Sequence, residues 1–292
     1  MTRDLYPDFD LGEIVADLDK KAKALIKTQT FPREGIAIKE DLAYGKEEGQ
    51  IFDIYYNKTS KNPKTLIGVH GGGLVFGSKD INKAFNLRLV KRGFNLASID
   101  YRLISEVSFI DQVRDLARAL SHIKDKGYGL STDKLFIVAD SAGAMLSLVV
   151  VAALKDPKIS RLFGLDIKNI DIKGLALLYP MTGLKDSGSF SLINKPVLAS
   201  IRDSQIKSYM ADIKKVLENI SLPPTLIFTS KEDFIRDQAL DLKAYLEKRK
   251  ASSELIDQAS SKPLAHGHAI NYPDTEEARE AVEKIVGFFD GL

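Results

Sequence analysis

Residues 136–145 read FIVADSAGAM, and this stretch decides how the rest of the chain is interpreted. Strand-forming residues run up to Asp140, and a helix of small and apolar residues begins directly after Ser141. The pattern is close to G-x-S-x-G, in which a serine lies on a sharp turn from a strand to a helix. Gly143 fits the second glycine, whereas Ala139 stands where the first is expected. Ser141 is therefore either a nucleophile on such a turn or a serine that caps an ordinary helix.

The helix after Ser141 favours the nucleophile. Its sequence, AMLSLVVVAAL at 144–154, is apolar nearly all round, which is typical of a helix buried in the centre of a protein. A serine that only caps a helix more often begins a half-exposed one. The methyl group of Ala139 is a small intrusion where strand and helix approach each other, so it weakens the match without removing it.

Strand-like and helix-like segments alternate along most of the chain, beginning near residue 36. The strand candidates are runs of apolar and β-branched residues, and the helix candidates carry apolar residues at helical spacing. The strand candidates are IAIKEDLAY and IFDIYY within 36–57, TLIGVH (65–70), FNLASIDY (94–101), KLFIVAD (134–140), IKGLALLY (172–179), PTLIFTS (224–230) and SELIDQA (253–259). The helix candidates are 11–26, 81–92, 111–126, 142–155, 237–250 and 275–289.

This alternation predicts an α/β fold built on one mostly parallel, doubly wound sheet flanked by helices. The third, fourth and fifth strands are continuous apolar runs, as expected for strands that helices cover on both faces. A long excursion at 181–223 interrupts the alternation, and such insertions often form lids or binding segments. We therefore expect one domain over 1–292, with a small cap formed by 1–30, which contains the first helix, and by 181–223.

Composition excludes several classes of function. The 42 basic and 40 acidic residues give a net charge of +2, without the basic excess that is typical of nucleic-acid binding. The sequence has no cysteine, which excludes disulfides and thiol chemistry. The N-terminus lacks a signal-type apolar region, and the longest apolar stretch, Ala142 to Leu154, is too short to span a bilayer. We expect a soluble, cytoplasmic protein that has no membrane span and binds no nucleic acid.

A glycine-rich loop, HGGGLVFGSKD at 70–80, follows the strand TLIGV. It does not match a P-loop, because Lys79 comes after Ser78 instead of directly after the second glycine. It also fails G-x-G-x-x-G, because Phe76 stands at the last glycine position. One alternative is a plain glycine-rich turn. The position at a strand end favours a loop whose amides face a developing negative charge, an oxyanion.

Two later loops contain the acid and base that a serine nucleophile needs. On such a sheet these residues follow in the order Ser, Asp or Glu, then His, and all lie at the carboxyl ends of strands. KEDFIRDQAL after the strand PTLIFTS contains Glu232 and Asp233. SSKPLAHGHAI after the strand SELIDQA contains His266 and His268. Of the other two histidines, one precedes the serine in the glycine loop and one lies within a predicted helix.

Together these segments make the chain resemble the α/β-hydrolases of the hormone-sensitive-lipase-like, bacterial-esterase group. The resemblance covers the chain from about residue 40 to its C-terminus. The motifs that carry it are HGGG (70–73) with GS at 77–78, DYRL (100–103), DSAG (140–143), DFIRD (233–237) and HGH (266–268).

The resemblance implies a catalytic role for individual residues. The family's acid lies in D-P-L-x-D, at its first Asp, and its base lies in H-G-F. By position, Asp233 is then the acid in preference to Glu232, and His266 is the base in preference to His268. Ser141 is the nucleophile that these two residues serve.

The resemblance also assigns the oxyanion loop. Ala142 follows the nucleophile, and its N–H is one donor to the tetrahedral oxyanion. In the family the other donors are the second and third glycines of the loop, which are Gly72 and Gly73 here. His70 and Gly71 then shape the loop.

The chain departs from the family pattern at four places. Ala139 replaces the first glycine of the elbow, Phe234 replaces a proline, and His268 replaces a phenylalanine. DYRL is followed by ISEVSF at 104–109 instead of A-P-E. None of these departures removes a reacting group.

The expected function is hydrolysis of carboxylic esters through an acyl-serine intermediate, without a cofactor or a metal. The expected partner is a small-molecule ester, with short acyl groups preferred. The substrate pocket is predicted near Leu74 and Phe76, the elbow helix, the N-terminal helix and the 181–223 excursion. The sequence leaves the oligomeric state open, and a homodimer is compatible with it.

Three other functions compete with this one. An arylformamidase-like amidase would use the same three residues, because they do not distinguish an ester from an amide. A metal site at His266 and His268 would lack an accompanying cluster of Asp or Cys ligands. A protein with this fold can also bind a ligand without catalysis, although here all three reacting groups are present.

Overall fold

The computed structural model describes residues 11–61, 63–167, 170–184 and 191–292. Its centre is one eight-stranded sheet in which every predicted strand is present. The strands are β1 (Ile36–Ala43), β2 (Ile51–Asn57), β3 (Thr65–Val69), β4 (Asn95–Ile99), β5 (Leu135–Asp140), β6 (Ile172–Leu178), β7 (Thr225–Ser230) and β8 (Ser253–Gln258).

The sheet runs in the order β1-β2-β4-β3-β5-β6-β7-β8. β2 pairs antiparallel with both β1 and β4, and every other neighbouring pair is parallel. The prediction of a mostly parallel sheet is therefore confirmed. β3 and β5 lie side by side at its centre, with Val69 opposite Ala139 at their carboxyl ends.

Helices flank the sheet, and the six predicted helices are confirmed, two with the predicted bounds and four with shifted ends. Three further α-helices of the described ranges have only four to eight residues, which show too little of a helical period to be predicted. A fourth unpredicted helix, Ser191–Ser200, has Pro196 in its interior. In the described ranges, no helix is long and apolar enough to cross a membrane. The helices are α1 (Leu11–Ile26), α2 (Lys83–Lys91), α3 (Phe109–Lys126), α4 (Ala142–Lys155), α5 (Pro157–Phe163), α6 (Ser191–Ser200), α7 (Ser204–Ala211), α8 (Arg236–Lys248), α9 (His268–Asn271) and α10 (Glu276–Asp290).

Two apolar cores pack against the sheet, and β3, β4, β5 and β7 are buried along their whole length. α4 follows β5 into the first core, while α2 follows β3 into the second. Because these connections leave on different sides, a crevice forms at the carboxyl ends of β3 and β5. The first core includes Val113, Leu116 and Leu120 of α3 and Leu146, Val149 and Val150 of α4. The second core includes Phe85 and Leu89 of α2 and Val282, Ile285 and Phe289 of α10.

The 181–223 excursion begins beside the serine turn. Met181 donates its backbone N–H to the carbonyl of Ser141 at 3.1 Å. Further along, α6 and α7 pack onto the first core, where Met210 is fully buried. The predicted lid also includes 185–190, which lie outside the described residues.

The N-terminal segment is tied to the loop after β8. Gln29, just beyond α1, donates its side-chain amide to the carbonyls of Ile270 and Asn271 at 3.1 and 3.0 Å. Part of the apolar face of α1 packs against the first core. The first ten residues of the predicted 1–30 cap lie outside the described residues.

The start of α4 approaches the end of β3 so closely that Gly143 has no room for a side chain. A Cβ there would lie 2.4 Å from the carbonyl oxygen of Val69 and 2.5 Å from that of His70. Gly143→Ala is expected to lower the free energy of unfolding by about 1–3 kcal/mol, because the two backbones must separate. Urea unfolding followed by circular dichroism measures this loss.

Gly287→Ala is the matched control for this substitution. Gly287 lies on the exposed side of α10, where an added Cβ meets no atom within 4 Å. Alanine is there expected to raise the free energy of unfolding by about 0.5–1 kcal/mol, since it favours the helical backbone. A Gly143→Ala protein as stable as the Gly287→Ala protein would contradict the close approach of α4 and β3.

Candidate active site

Ser141 lies on a strained turn between β5 and α4. Its φ and ψ are 47° and −115°, a backbone conformation that residues with a side chain rarely adopt. Such a conformation costs of order 1–3 kcal/mol and persists only where the surroundings impose it. Ser141 occupies the position before α4, yet its side chain makes no capping hydrogen bond. The geometry therefore differs from that of a serine that caps a helix.

The side chain of Ser141 instead faces a histidine. Its Oγ lies 3.0 Å from Nε2 of His266, and Nδ1 of the same ring lies 2.7 Å from Oδ1 of Asp233. With the Nδ1–H tautomer, the imidazole donates to the carboxylate and accepts the serine hydroxyl proton at Nε2. The three residues lie at the ends of different strands, and the fold brings them into one hydrogen-bonded chain.

Asp233 is held as a carboxylate by three donors. Besides the His266 ring, Thr229 donates its hydroxyl to Oδ2 at 2.8 Å, and Ile235 donates its N–H to Oδ1 at 3.0 Å. Burial alone would raise the pKa of Asp233, but the interactions with His266 and the hydrogen bonds from Ile235 and Thr229 together outweigh it and lower the pKa. The carboxyl is thus able to orient the imidazole near neutral pH.

Glu232, the neighbouring carboxylate, does not contact His266 in this arrangement. Its side chain is exposed and accepts the N–H of Leu264 at 2.9 Å, and its backbone forms an isolated bridge with Ala265. Glu232 therefore joins the histidine loop to the loop that carries Asp233.

His268 is buried with both ring nitrogens occupied. Tyr179 donates its hydroxyl to Nδ1 at 3.0 Å, and Nε2–H donates to Oε1 of Gln258 at 2.7 Å. Gln258 donates its Nε2 to Glu277 and Glu280, so its Oε1 accepts Nε2–H of His268 and leaves Nδ1 to accept the Tyr179 hydroxyl, which also accepts the N–H of Ala269 at 3.1 Å. Burial lowers the pKa of His268, in keeping with this neutral tautomer. The ring packs against Tyr179, which in turn packs against His266. The two histidines do not point at a common ligand.

The glycine loop turns tightly beside the serine. Gly72 and Gly73 have φ values of 102° and 60°, and the carbonyl of Gly72 accepts the N–H groups of Val75 and Phe76, both at 3.1 Å. A Cβ on Gly72 would lie 1.9 Å from the carbonyl oxygen of Phe76, so only glycine fits. Within the described part of the chain, the amides of Gly72, Gly73 and Ala142 have no hydrogen-bond acceptor.

Asp140, the residue before the serine, holds the glycine loop in place. Its Oδ1 accepts the N–H of Gly71 at 3.0 Å and the side-chain amide of Asn82 at 2.6 Å. Burial raises the pKa of Asp140, while these donors act in the opposite direction. A Cβ on Gly71 would lie 2.4 Å from Asp140 Oδ2 and 3.1 Å from the Cβ of Ser141. The loop and the serine turn are therefore packed directly against each other.

The DYRL segment packs against the other side of this loop. The ring of His70 is buried and stacks on that of Tyr101, with centroids 4.2 Å apart and planes 6° apart. Tyr101 donates its hydroxyl to the carbonyl of His70 at 2.9 Å. Asp100 accepts the N–H of Lys79 at 2.9 Å, which fixes the end of the loop. The sequence analysis identified neither this contact between DYRL and the glycine loop nor the roles of Asp140 and Tyr179.

The two residues predicted to line the pocket, Leu74 and Phe76, differ in their burial. Leu74 has a φ of 71° and is fully buried in the first core, so it offers no open surface to a substrate. Phe76 is half-buried and packs at the edge of the same core. Phe234 is 54% exposed beside His266 and was noted in the sequence only as a departure from a motif.

The described residues contain no group of three or more His, Cys, Asp or Glu side chains that could hold a metal ion. Two cavities of about 380 and 420 Å³ lie away from Ser141. One is lined by residues of α5 and α7 that include Lys158 and Tyr209, and the other by residues near the end of α1 that include Lys27 and Phe31. Neither contains a residue of the Ser–His–Asp chain.

The sequence is similar to a known protein family and to a plant enzyme. A family model described as alpha/beta hydrolase fold matches residues 66–262. A protein of Arabidopsis thaliana named "Probable isoprenylcysteine alpha-carbonyl methylesterase ICMEL1" is 24% identical over 212 residues. That match covers 68% of this chain and 44% of the relative, so the chain spans less than half of that protein's length.

Solved structures of esterases have the same fold. Esterase B from Lactobacillus rhamnosis superposes with a TM-score of 0.89 at 21% identity, over 99% of this chain and 95% of that one. Its form with a tributyrin phosphonate gives a TM-score of 0.87 at 21% identity, over 94% and 92% of the two chains. EstE1, a carboxylesterase cloned from a metagenomic library, gives 0.75 at 21% identity, over 95% and 96%.

His268 is expected to make stability depend on pH. Since burial keeps its pKa below the usual value of about 6.5, the unfolded chain binds a proton there at a higher pH than the folded chain does. The folded state therefore loses stability from this residue as the pH falls below about 6.5, and retains it above. Urea unfolding of wild type and His268→Phe at about pH 7 and about pH 5 measures the difference.

At the higher pH, His268→Phe is expected to cost about 1–3 kcal/mol, because the buried hydroxyl of Tyr179 and the side chain of Gln258 lose their partner. At the lower pH, the gap between the two proteins should narrow, since only wild type carries the titrating ring. Two proteins that lose stability in parallel over this interval would contradict a neutral, buried His268.

Proposed function

The chain belongs to the family of proteins with the α/β-hydrolase fold, and we propose that it hydrolyses carboxylic esters with Ser141 as its nucleophile. The observation that carries this proposal is the hydrogen-bonded chain from Ser141 through His266 to Asp233. Fold alone does not specify an activity, whereas this hydrogen-bonded series of three side chains is the arrangement that activates a serine hydroxyl.

Acylation begins when Ser141 Oγ attacks the ester carbonyl carbon. His266 takes the hydroxyl proton at Nε2, and Asp233 stabilises the imidazolium that forms. The carbonyl oxygen becomes an oxyanion, for which the amides of Gly72, Gly73 and Ala142 are the proposed donors. Loss of one such donor typically costs about 3 kcal/mol of transition-state stabilisation.

The tetrahedral intermediate then collapses. His266 returns its proton to the alcohol oxygen, the carbon–oxygen bond of the ester breaks, and the alcohol leaves. A water activated by the same imidazole attacks the acyl-serine, and a second collapse releases the carboxylic acid. Every proton in this sequence passes through Nε2 of His266, so the proposal requires no metal or organic cofactor.

We propose small esters with short acyl groups as the substrates. The tributyrin phosphonate bound by the esterase from Lactobacillus rhamnosis is compatible with four-carbon acyl groups. The relative from Arabidopsis thaliana is named a methylesterase, which supports ester hydrolysis itself.

We further propose that the N-terminal segment and the 181–223 excursion cap the site within a single domain. The contact of Met181 with the carbonyl of Ser141 supports this for the excursion. The bonds of Gln29 to the carbonyls of α9 support it for the N-terminal segment, since α9 directly follows the histidine loop.

Ser141→Ala is the first test of the activity. Hydrolysis of p-nitrophenyl esters from acetate to decanoate is expected to fall by about 10⁴-fold or more in kcat, with an optimum at short acyl chains in wild type. A p-nitrophenyl alkylphosphonate should label wild type at Ser141, which peptide mass spectrometry detects. Folded wild-type protein inactive on every ester would overturn the proposal, and formamides would then be assayed for an amidase.

Asp233→Asn tests which carboxylate serves His266. The amide would select the wrong imidazole tautomer, and we expect kcat to fall by about 10⁴-fold. Glu232→Gln is the matched control, because this exposed neighbour bonds only to backbone groups of the histidine loop among the described contacts. It should retain activity within about tenfold. Equal losses in the two variants would contradict the assignment of Asp233.

A further inference from the structure

We propose that Phe234 contacts the alcohol half of the substrate and makes the enzyme select esters of aromatic or bulky apolar alcohols. This inference rests on the proposed ester hydrolysis and adds the class of alcohol to it. Phe234 is the residue directly after Asp233, at the position where the resembling family has a proline.

The ring of Phe234 lies against the ring of His266. Their centroids are 4.5 Å apart and their planes are inclined by 47°. Phe234 is nevertheless 54% exposed and is one of three exposed large apolar side chains in the described part of the chain, with Tyr272 and Leu292. A ring held at a site with half of its surface open to solvent offers apolar area that a bound molecule can cover.

His266 is flanked by two aromatic rings that differ in access. Tyr179 lies 5.5 Å from it, centroid to centroid, and is fully buried in the floor of the site. Phe234 lies on an exposed side. A molecule that reaches His266 from solvent therefore meets Phe234 and does not meet Tyr179.

The backbone around Phe234 is fixed, so its ring is presented in a defined place. Asp233 donates its N–H to the carbonyl of Ser230 at 3.2 Å, and its side chain accepts the N–H of Ile235 at 3.0 Å. Arg236, at the start of α8, forms two hydrogen bonds to Asp257 in β8. A preorganised aromatic ring loses little conformational freedom when a ligand binds, which favours its use in recognition.

The chemistry decides which half of an ester lies beside Phe234. The leaving alcohol oxygen takes its proton from Nε2 of His266 and must come within about 3 Å of it. The carbonyl oxygen lies instead toward the amides of the glycine loop. The alcohol half is thus held beside the imidazole, and of the two described aromatic rings there, the exposed one is that of Phe234.

This placement predicts a kinetic signature. Once the alcohol has left, esters of one acid share the same acyl-serine, and its hydrolysis no longer involves the alcohol. Phe234 should therefore influence acylation according to the alcohol and leave deacylation unchanged. A residue with a merely structural role would affect all esters alike through the position of His266.

The experiment compares acetate esters that differ only in their alcohol. Values of kcat/KM for 2-naphthyl, phenyl and methyl acetate are measured for wild type, Phe234→Ala and Phe234→Leu, with each variant expressed relative to wild type so that intrinsic leaving-group reactivity cancels. We expect Phe234→Ala to lose roughly tenfold on 2-naphthyl acetate and under about threefold on methyl acetate. Phe234→Leu should lie between wild type and Phe234→Ala.

Two controls accompany this series. Tyr272→Ala removes another aromatic ring, 55% exposed and outside the Ser–His–Asp chain, and should leave the ratio of naphthyl to methyl ester unchanged. A series of p-nitrophenyl esters from acetate to hexanoate should keep its chain-length profile in Phe234→Ala, because the acyl half lies elsewhere. Pre-steady-state bursts of p-nitrophenol should give the same deacylation rate in both proteins.

Several outcomes would overturn the inference. These are equal losses on naphthyl and methyl esters, no loss on either, or an altered acyl-chain profile in Phe234→Ala. Failure of the proposed function would look different, since hydrolysis by wild type would then be absent or would survive Ser141→Ala. The two proposals therefore fail by separate measurements.

Discussion

The left-handed backbone at Ser141 is the constraint on which the rest of the site depends. The positive φ directs the buried serine hydroxyl toward His266 at the carboxyl end of the sheet. The surroundings impose this conformation: Leu178 accepts the serine N–H at 2.9 Å, and the serine carbonyl accepts the N–H of Met181. Gly143 lets α4 depart directly over the end of β3. The strain is thus balanced by β6 and by the close packing of α4.

The same turn places the groups around it. Because the start of α4 lies against the end of β3, the loop that leaves β3 must pass beside the serine. Gly71 fits there only because it has no side chain, and Asp140 accepts a hydrogen bond from its N–H. The amides of the loop and of Ala142 are consequently oriented by one packing arrangement. The exposed ring of Phe234 follows Asp233 in sequence, so a single loop carries both the acid and an outer wall of the site.

Local patterns in the sequence predicted the strands and the sheet class, and the resemblance pointed to Ser141, Asp233 and His266, which hydrogen bonds join in the structure. Continuous apolar runs identified β3, β4 and β5, since burial on both faces leaves that signature. Contacts between distant residues were beyond such patterns. His268 is occupied by Tyr179, 89 residues away, which no local motif reveals. Leu74 was expected in the pocket, yet its positive φ turns the side chain into the first core. Periodicity also missed α5, α7 and α9, which are too short to display it.

Within the loop from Ser230 to Ile235, Asp233 and Phe234 differ in how tightly their side chains are held. Asp233 is fixed by a side-chain donor, a backbone donor and the imidazole, so its position tolerates little variation. Phe234 contributes no polar side-chain atom to that set, and half of its ring faces solvent. A substitution there alters the apolar surface beside His266 while the hydrogen bonds that orient the imidazole stay in place. In the proposed mechanism, selection for the alcohol can therefore vary independently of the residues that break the ester bond.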